Sequence, residues 1–226
     1  MTDIRFLGHA TFELNDGSNS VLIDPFLTGN PAAAVSADEL SPDVILLTHG
    51  HGDHFADLVP IAKRTGATVI TMLEIADELT GDGLANVIGP NIGGSVDFPG
   101  GSVKLVPAWH SSSTPKGTVS TATGLIVRFG GATIYHLGDT ALFGDMELIG
   151  RRHEIDVALV PIGGFFTMDP DDAAESVRLI GPRAVIPCHY NTFPVIEVDV
   201  EAFKAEVEAN TASTVIVLEP GETHTL

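Results

Sequence analysis

Thr48-His49-Gly50-His51-Gly52-Asp53-His54 is the stretch on which the reading of this chain turns. Four side chains able to ligate a metal, at 49, 51, 53 and 54, fall within six residues. Imidazole nitrogen and carboxylate oxygen are the donors that zinc and its neighbours accept. Gly50 and Gly52 stand between them, and glycine lets a loop curl so that alternate side chains converge. The segment directly follows Val44-Ile45-Leu46-Leu47, an apolar run suited to a short strand buried on both faces. Such a strand would fix the donors before any metal arrives. Taken alone, the segment leaves the number of metals open, and its bland alternative is a histidine-rich surface turn.

Working outward, three further donors each follow an apolar run and precede a loop. His110 ends Val106-Pro107-Ala108-Trp109-His110, Asp139 ends Tyr135-His136-Leu137-Gly138-Asp139, and His189 ends Val185-Ile186-Pro187-Cys188-His189. A lone histidine at a strand end is usually structural. Joined to the first cluster, these make five histidines and two aspartates, enough for two metal sites with a position open to water or substrate. Asp24, ending Ser20-Val21-Leu22-Ile23-Asp24, is the candidate carboxylate behind a metal-bound imidazole, with a turn cap before Pro25 as the alternative.

The pattern around these motifs alternates between strands and helices. Ile4–Leu7, Thr11–Leu14 and Ser20–Asp24 read as strands, with Asn15-Asp16-Gly17 as a turn. Asp57–Thr65 and Glu74–Leu79 read as helices around a strand at Thr68–Met72. Hairpins follow, Ser95–Phe98 with Val103–Pro107 and Leu125–Phe129 with Thr133–Leu137, each split by a Gly-Gly pair. Helices at Leu142–Arg151, Pro170–Ile180 and Val200–Glu208 then alternate with strands at Val157–Pro161, Ala184–Pro187 and Thr214–Leu218. Asp169-Pro170-Asp171-Asp172 is a strong helix start. No linker divides the chain, so residues 1–226 are expected to form a single domain of two mixed halves. Helices should cover the sheets, with chemistry on loops at strand ends.

Bulk properties narrow the partners. With 11 basic and 30 acidic residues, the formal charge of −19 opposes a groove for nucleic acid. One cysteine, Cys188, excludes an internal disulfide framework and fits a reducing compartment. Met1-Thr2-Asp3 opens without a leader pattern, and no apolar run is long enough for a membrane span. A cytoplasmic protein is expected.

These motifs resemble the metallo-β-lactamase superfamily, whose hallmark is a His-x-His-x-Asp-His loop followed by His, Asp and His. The likeness covers essentially the whole chain. It extends to Phe6-Leu7-Gly8-His9-Ala10, Ile23-Asp24-Pro25-Phe26, Tyr135 to Thr140, Pro161-Ile162-Gly163-Gly164 and Pro187 to Pro194. It is greatest to a branch of small metal-dependent hydrolases related to ascorbate-6-phosphate lactonase and to the phospholipase D acting on N-acyl-phosphatidylethanolamine. The resemblance implies an α/β (α+β) fold, the four-layer αβ/βα sandwich. It implies one metal on His49, His51 and His110 and another on Asp53, His54 and His189, bridged by Asp139. Zinc is expected first, although manganese, nickel and iron accept the same donors. True β-lactamases of the main zinc class carry cysteine where Asp139 stands, which disfavours antibiotic hydrolysis. Diiron flavoprotein relatives carry glutamate at His51, which disfavours a redox role.

The implied chemistry is hydrolysis of a small lactone, ester, thioester or phosphodiester by a hydroxide bridging the metals, with Asp53 and Asp139 as catalytic residues. A ribonuclease Z-like enzyme and a non-catalytic metal-binding protein are the alternatives. His9 stands in a turn that in relatives lies near the metal cleft, so contact with substrate is weighed against a structural role. Phe166 and Asn191 would wall a substrate pocket, with core packing as the alternative. His136 is read as packed under the sheet, and His153 and His224 as surface residues. Homo-oligomers are common among such relatives.

Overall fold

Strand parity divides the apolar residues among three cores. The computed structural model describes residues 1–226. Its first sheet is built from β1 (Asp3–Gly8), β2 (Thr11–Asn15), β3 (Ser20–Ile23), β4 (Val44–Leu46), β5 (Thr68–Ile70) and β6 (Val87–Ile88). The second holds β7 (Ser95–Phe98), β8 (Gly101–Pro107), β9 (Thr123–Phe129), β10 (Ala132–His136), β11 (Val157–Pro161), β12 (Ala184–Cys188) and β13 (Thr214–Val215). A last strand, β14 (Thr223–Thr225), returns to pair antiparallel with β1. The sheet orders are 14-1-2-3-4-5-6 and 13-12-11-10-9-8-7.

Val44 and Leu46 of β4, Val157 and Leu159 of β11, and Ile186 and Cys188 of β12 share one core between the sheets. Their alternating neighbours face outward. Ile45 packs against Leu58 and Ile61 of α2 (Leu58–Thr65) and Ile75 of α3 (Leu73–Gly81), numbering from a short α1 (Gly52–Phe55). Ala158 and Val185 pack with Ile149 of α4 (Met146–Arg152), Val177 of α5 (Pro170–Ile180) and Phe203 of α6 (Val200–Asn210). The layers therefore run helices, sheet, sheet, helices. Each fully buried Leu or Val contributes about 1.5–3 kcal/mol, so both faces of these strands stabilise the stack.

Capping fixes α5 as the sequence implied. Asp169 accepts from the Asp172 N–H, Pro170 opens α5, and Gly181 closes it at φ +64°. Five elements differ from the sequence reading or were absent from it. The helix expected from Leu142 starts at Met146, because Leu142 and Phe143 pack into the outer core as a loop. The final apolar strand pairs only over Thr214–Val215. The strand expected over Thr68–Met72 stops at Ile70, and Met72 caps α3. No apolar period announced α1 or β14. No helix is long and apolar enough to cross a membrane.

Strand direction gathers the chemistry. β3 and β4 are parallel, and β1 runs with β3 through the antiparallel β2. In the other sheet β10, β11 and β12 are parallel, and β8 runs with β10 through β9. His9, Asp24, His49, His110, Asp139 and His189 all lie just beyond the C-terminal ends of such strands. They share one rim.

Candidate metal centre

The loop after β4 is shaped by its neighbours more than by glycine freedom. Neither Gly50 nor Gly52 has a positive φ, contrary to the expected curl. Gly50 instead serves close approach, since a Cβ there would lie 2.9 Å from the Thr114 nitrogen. His51 caps α1, and its carbonyl accepts from the N–H groups of His54 and Phe55. That single turn brings Asp53 and His54 back toward His49. From the second sheet, Trp109 N–H donates to Thr140 Oγ1 at 3.0 Å and Ala141 N–H to the Trp109 carbonyl at 3.1 Å. These bonds tie the His110 segment to the Asp139 segment.

The seven donors converge in two overlapping groups. In the first, His49 Nε2 lies 3.0 Å from His51 Nδ1, and His110 Nε2 lies 3.3 Å from the same atom. Ring nitrogens about 2.0–2.1 Å from a tetrahedral ion would be roughly 3.3 Å apart, so the trio fits one ion. In the second, His54 Nε2 is 4.0 Å and His189 Nε2 3.7 Å from Asp53 Oδ2. Asp139 reaches both groups. Its Oδ1 is 3.4 Å from His54 Nε2, and its Oδ2 is 3.2 Å from His189 Nε2, 3.5 Å from His110 Nε2 and 3.9 Å from His49 Nε2. His54 Nε2 and both ring nitrogens of His189 are buried without an aligned hydrogen bond. Atoms orphaned in this way suit ligation by an ion.

Asp24 sets the tautomers. It is fully buried, and its Oδ2 accepts from the Thr48 hydroxyl at 2.6 Å and from His54 Nδ1 at 2.8 Å. Its Oδ1 accepts from the Thr48 N–H at 2.8 Å. With its own proton committed to Asp24, Thr48 Oγ1 accepts from His49 Nδ1 at 3.0 Å. One carboxylate therefore leaves the Nε2 lone pairs of His49 and His54 facing the centre. Asp24 acts as support for imidazoles, and Thr48 is a link that spacing alone could not show.

Charge follows geometry. Burial opposes ionisation of Asp139, yet His189 and His54 hold its carboxyl well below the usual range. Burial opposes Asp53 too, and His189 and His9 hold it down. Burial works against a charge on His54, but Asp139 and Asp24 raise it well above an ordinary imidazole. His189 is pushed up to about 9, Asp139 outweighing its burial. Burial prevails at His49, well below its ordinary value, and at His9, lowered to about 4. Two ionised carboxylates thus draw positive charge into the cluster, and a divalent ion entering would displace protons from the rings.

Only one face of the cluster meets solvent. The Asp53 side chain is 29% exposed and His110 14%, against 4% for Asp139 and none for His49 and His54. Near that face, Gly163 packs so tightly that a Cβ would lie 2.2 Å from the His189 carbonyl oxygen, and the Met168 N–H bonds the Thr140 carbonyl. Between these anchors Phe165 and Phe166 are exposed, their rings 4.9 Å apart, which excludes core packing for them. The Asn191 Oδ1 accepts from the Val198 N–H and closes its own loop, and the residue lines a cavity of about 220 Å³ with His9 and Thr192. His136 is buried between the sheets, its Nε2 donating to the Ala10 carbonyl and its Nδ1 accepting from the Gly138 N–H. Cys188 is a buried core residue whose thiol burial pushes up. A cavity of about 530 Å³ lies at the opposite rim beside Asp156 and Arg183.

The four non-glycine residues with positive φ are His9 (59°), Asp24 (47°), His189 (53°) and Asn191 (54°). All lie at strand ends on this rim, where strained backbone aims side chains.

Comparison with known proteins identifies a family. Residues 3–189 match a family model described as a beta-lactamase superfamily domain. A protein of Pelotomaculum thermopropionicum, named a metal-dependent hydrolase, is 49% identical over 224 residues, 97% of each chain. One from Methanopyrus kandleri, likewise named, is 50% identical over 226 residues, 98% of each. Among solved structures, Igni18, a metallo hydrolase from Ignicoccus hospitalis, superposes with a TM-score of 0.90 at 38% identity, covering 99% of this chain and 97% of its own.

Proposed function

The chain belongs to the β-lactamase superfamily as one of its metal-dependent hydrolases, and we propose that it holds two divalent ions and cleaves a small lactone, ester, thioester or phosphodiester. The observation that carries this reading is Asp139, whose two oxygens lie 3.2–3.9 Å from ring nitrogens of both donor groups. His49, His51 and His110 would hold one ion, Asp53, His54 and His189 the other, and Asp139 would bridge them. Zinc suits the nitrogen-rich set best, with manganese, nickel or iron as substitutes. Bound ions would lower the pKa of a coordinated water toward neutrality and polarise the substrate oxygen.

The protein's own groups do the rest. Asp24 and Thr48 keep His49 and His54 in the ligating tautomer. Asp53, the most exposed carboxylate of the centre, is placed to take the proton of the attacking water. Asp139, almost fully buried, stays ionised and fixes the spacing of the two groups. Phe166 and Phe165 offer an apolar wall to a substrate entering beside Asp53 and His110. Net charge −19 supports a small substrate over a long polyanion. Residues 1–226 act as one domain, in a reducing, cytoplasmic setting that suits its single buried thiol.

The test is a paired rate assay on zinc-reconstituted protein, a lactone against an activated phosphodiester, with His189→Ala as control and metal content by elemental analysis. Two ions per chain and turnover lost in the variant are expected. One ion per chain, or turnover that survives His189→Ala, would overturn the reading. The faster substrate assigns the subclass.

A further inference from the structure

His9, just beyond the end of β1, touches two of the proposed ligands, Asp53 and His189. It is 1% exposed, held at φ +59°, and follows Gly8, where a Cβ would lie 2.4 Å from the Ala32 carbonyl oxygen. Its Nε2 lies 3.2 Å from Asp53 Oδ2, and its Nδ1 2.9 Å from Thr192 Oγ1. Its carbonyl accepts from the His189 N–H at 2.7 Å, and its ring lies 4.0 Å from the His189 ring. Thr192, buried in the loop after β12, comes from the other sheet, 183 residues along the chain.

An ionised carboxylate offers acceptors only. His9 Nε2 must therefore carry the proton it shares with Asp53, which leaves Nδ1 as a lone pair. The Thr192 hydroxyl is then the donor to Nδ1. Its other neighbour, the Tyr190 carbonyl, is 3.3 Å away and loses that proton in competition. The result is a directed relay, Thr192 O–H to His9 Nδ1 and His9 Nε2–H to Asp53 Oδ2.

Resting on the two-ion reading above, we propose that His9 is the positioning residue for Asp53, with Thr192 selecting its tautomer. Asp53 shares the single turn of α1 with His54, but His54 is fully buried and bonded to Asp24 whereas Asp53 is the most exposed carboxylate of the centre. The oxygen that accepts from His9, Oδ2, is also the one that faces the His54 and His189 nitrogens, so the bond fixes the rotation of the carboxylate and leaves a second lone pair of Oδ2 for an ion. Because Thr192 and His189 share one loop, the relay also couples the first sheet's contribution to the second's.

Cobalt(II) titration of the metal-free full-length chain, followed by its visible absorption and by competition with a chelator, tests this. Wild type takes up two equivalents. His9→Ala weakens one of them by roughly 10–100-fold and leaves the other unchanged, the loss typical of a removed supporting bond. His9→Gln, whose amide nitrogen can occupy the Nε2 position and donate to Asp53, restores most of that affinity. Thr192→Val, distant from the metals and nearly isosteric, weakens the same equivalent less, and Thr192→Ser does not. Wild-type affinity in His9→Ala overturns the proposal, as does equal weakening of both equivalents. Failure of His9→Gln to rescue would mean that the ring itself ligates or merely fills space, and also overturns it. Asp53→Ala separates the two levels. If it keeps both equivalents, or wild type takes only one, the two-ion reading fails. If Asp53→Ala loses one while His9→Ala loses none, this inference alone fails.

Discussion

Replacing Asp24 by asparagine changes one atom and asks whether a single carboxylate sets the ligating state of His54. Asparagine tolerates the φ of +47° about as well as aspartate, so the backbone has no reason to move. Its amide oxygen can keep the Thr48 N–H bond of 2.8 Å. Its NH₂ then stands where Oδ2 received the Thr48 hydroxyl at 2.6 Å and His54 Nδ1 at 2.8 Å. The hydroxyl can rotate, but the imidazole proton cannot. His54 must move that proton to Nε2, the atom facing Asp139, and so lose its lone pair. A hydrogen bond to a charged group contributes about 1.5–3 kcal/mol, which converts to roughly 10–150-fold weaker binding of the ion that His54 holds. For a chain of 226 residues the same loss lowers the melting temperature of the metal-free protein by about 3–12 °C. Dialysis against buffered zinc with elemental analysis reads the first effect and thermal unfolding in chelator reads the second. An Asp24→Asn protein that keeps two ions at wild-type affinity and melts unchanged would refute the tautomer argument.

Three further outcomes are expected. In chelator, stability should peak near pH 6.5. His189, raised to about 9, contributes stability that is present below the unfolded value of about 6.5 and lost as pH rises toward 9, whereas His9, lowered to about 4, loses its contribution as pH falls from 6.5 toward 4. Melting curves across pH 4–10 check this, and a monotonic profile would contradict it. Gly163→Ala should destabilise by about 1–3 kcal/mol and slow hydrolysis, because its Cβ meets the His189 carbonyl oxygen at 2.2 Å; unchanged melting and rate would show that this contact yields freely. Phe166→Ala should alter kcat/KM between apolar and polar substrates far more than it alters melting, since the ring is 47% exposed. Equal loss of both would make it structural.

Much of this architecture was legible from local signals. The Val44–Leu47 run announced a strand buried on both faces, and its two parities do fall into separate cores. The donors at His110, Asp139 and His189 were visible because each ends an apolar run. Other features left no such trace. The four residues of α1 are too few for a helical period, and β14 pairs through polar Thr223-His224-Thr225. Leu142 and Phe143 mimic a helix because loop side chains also pack into the outer core. Thr48 and Thr192 read as ordinary polar residues, and their roles exist only in bonds made by folding. Asn191 carried a polar side chain beside the site, but its Oδ1 accepts from the Val198 N–H of its own loop.

That the donors divide between the sheets sets when the centre can exist during synthesis. His49, His51, Asp53 and His54 leave the ribosome early, whereas His110, Asp139 and His189 follow only as the second sheet is made. On the proposed assignment, a nascent chain holding only the first four would grip an ion loosely, and tight capture would wait until the second sheet closed on the first. On the proposed ligand assignment, a chain truncated or misfolded in its second half would lack the donors that complete the centre.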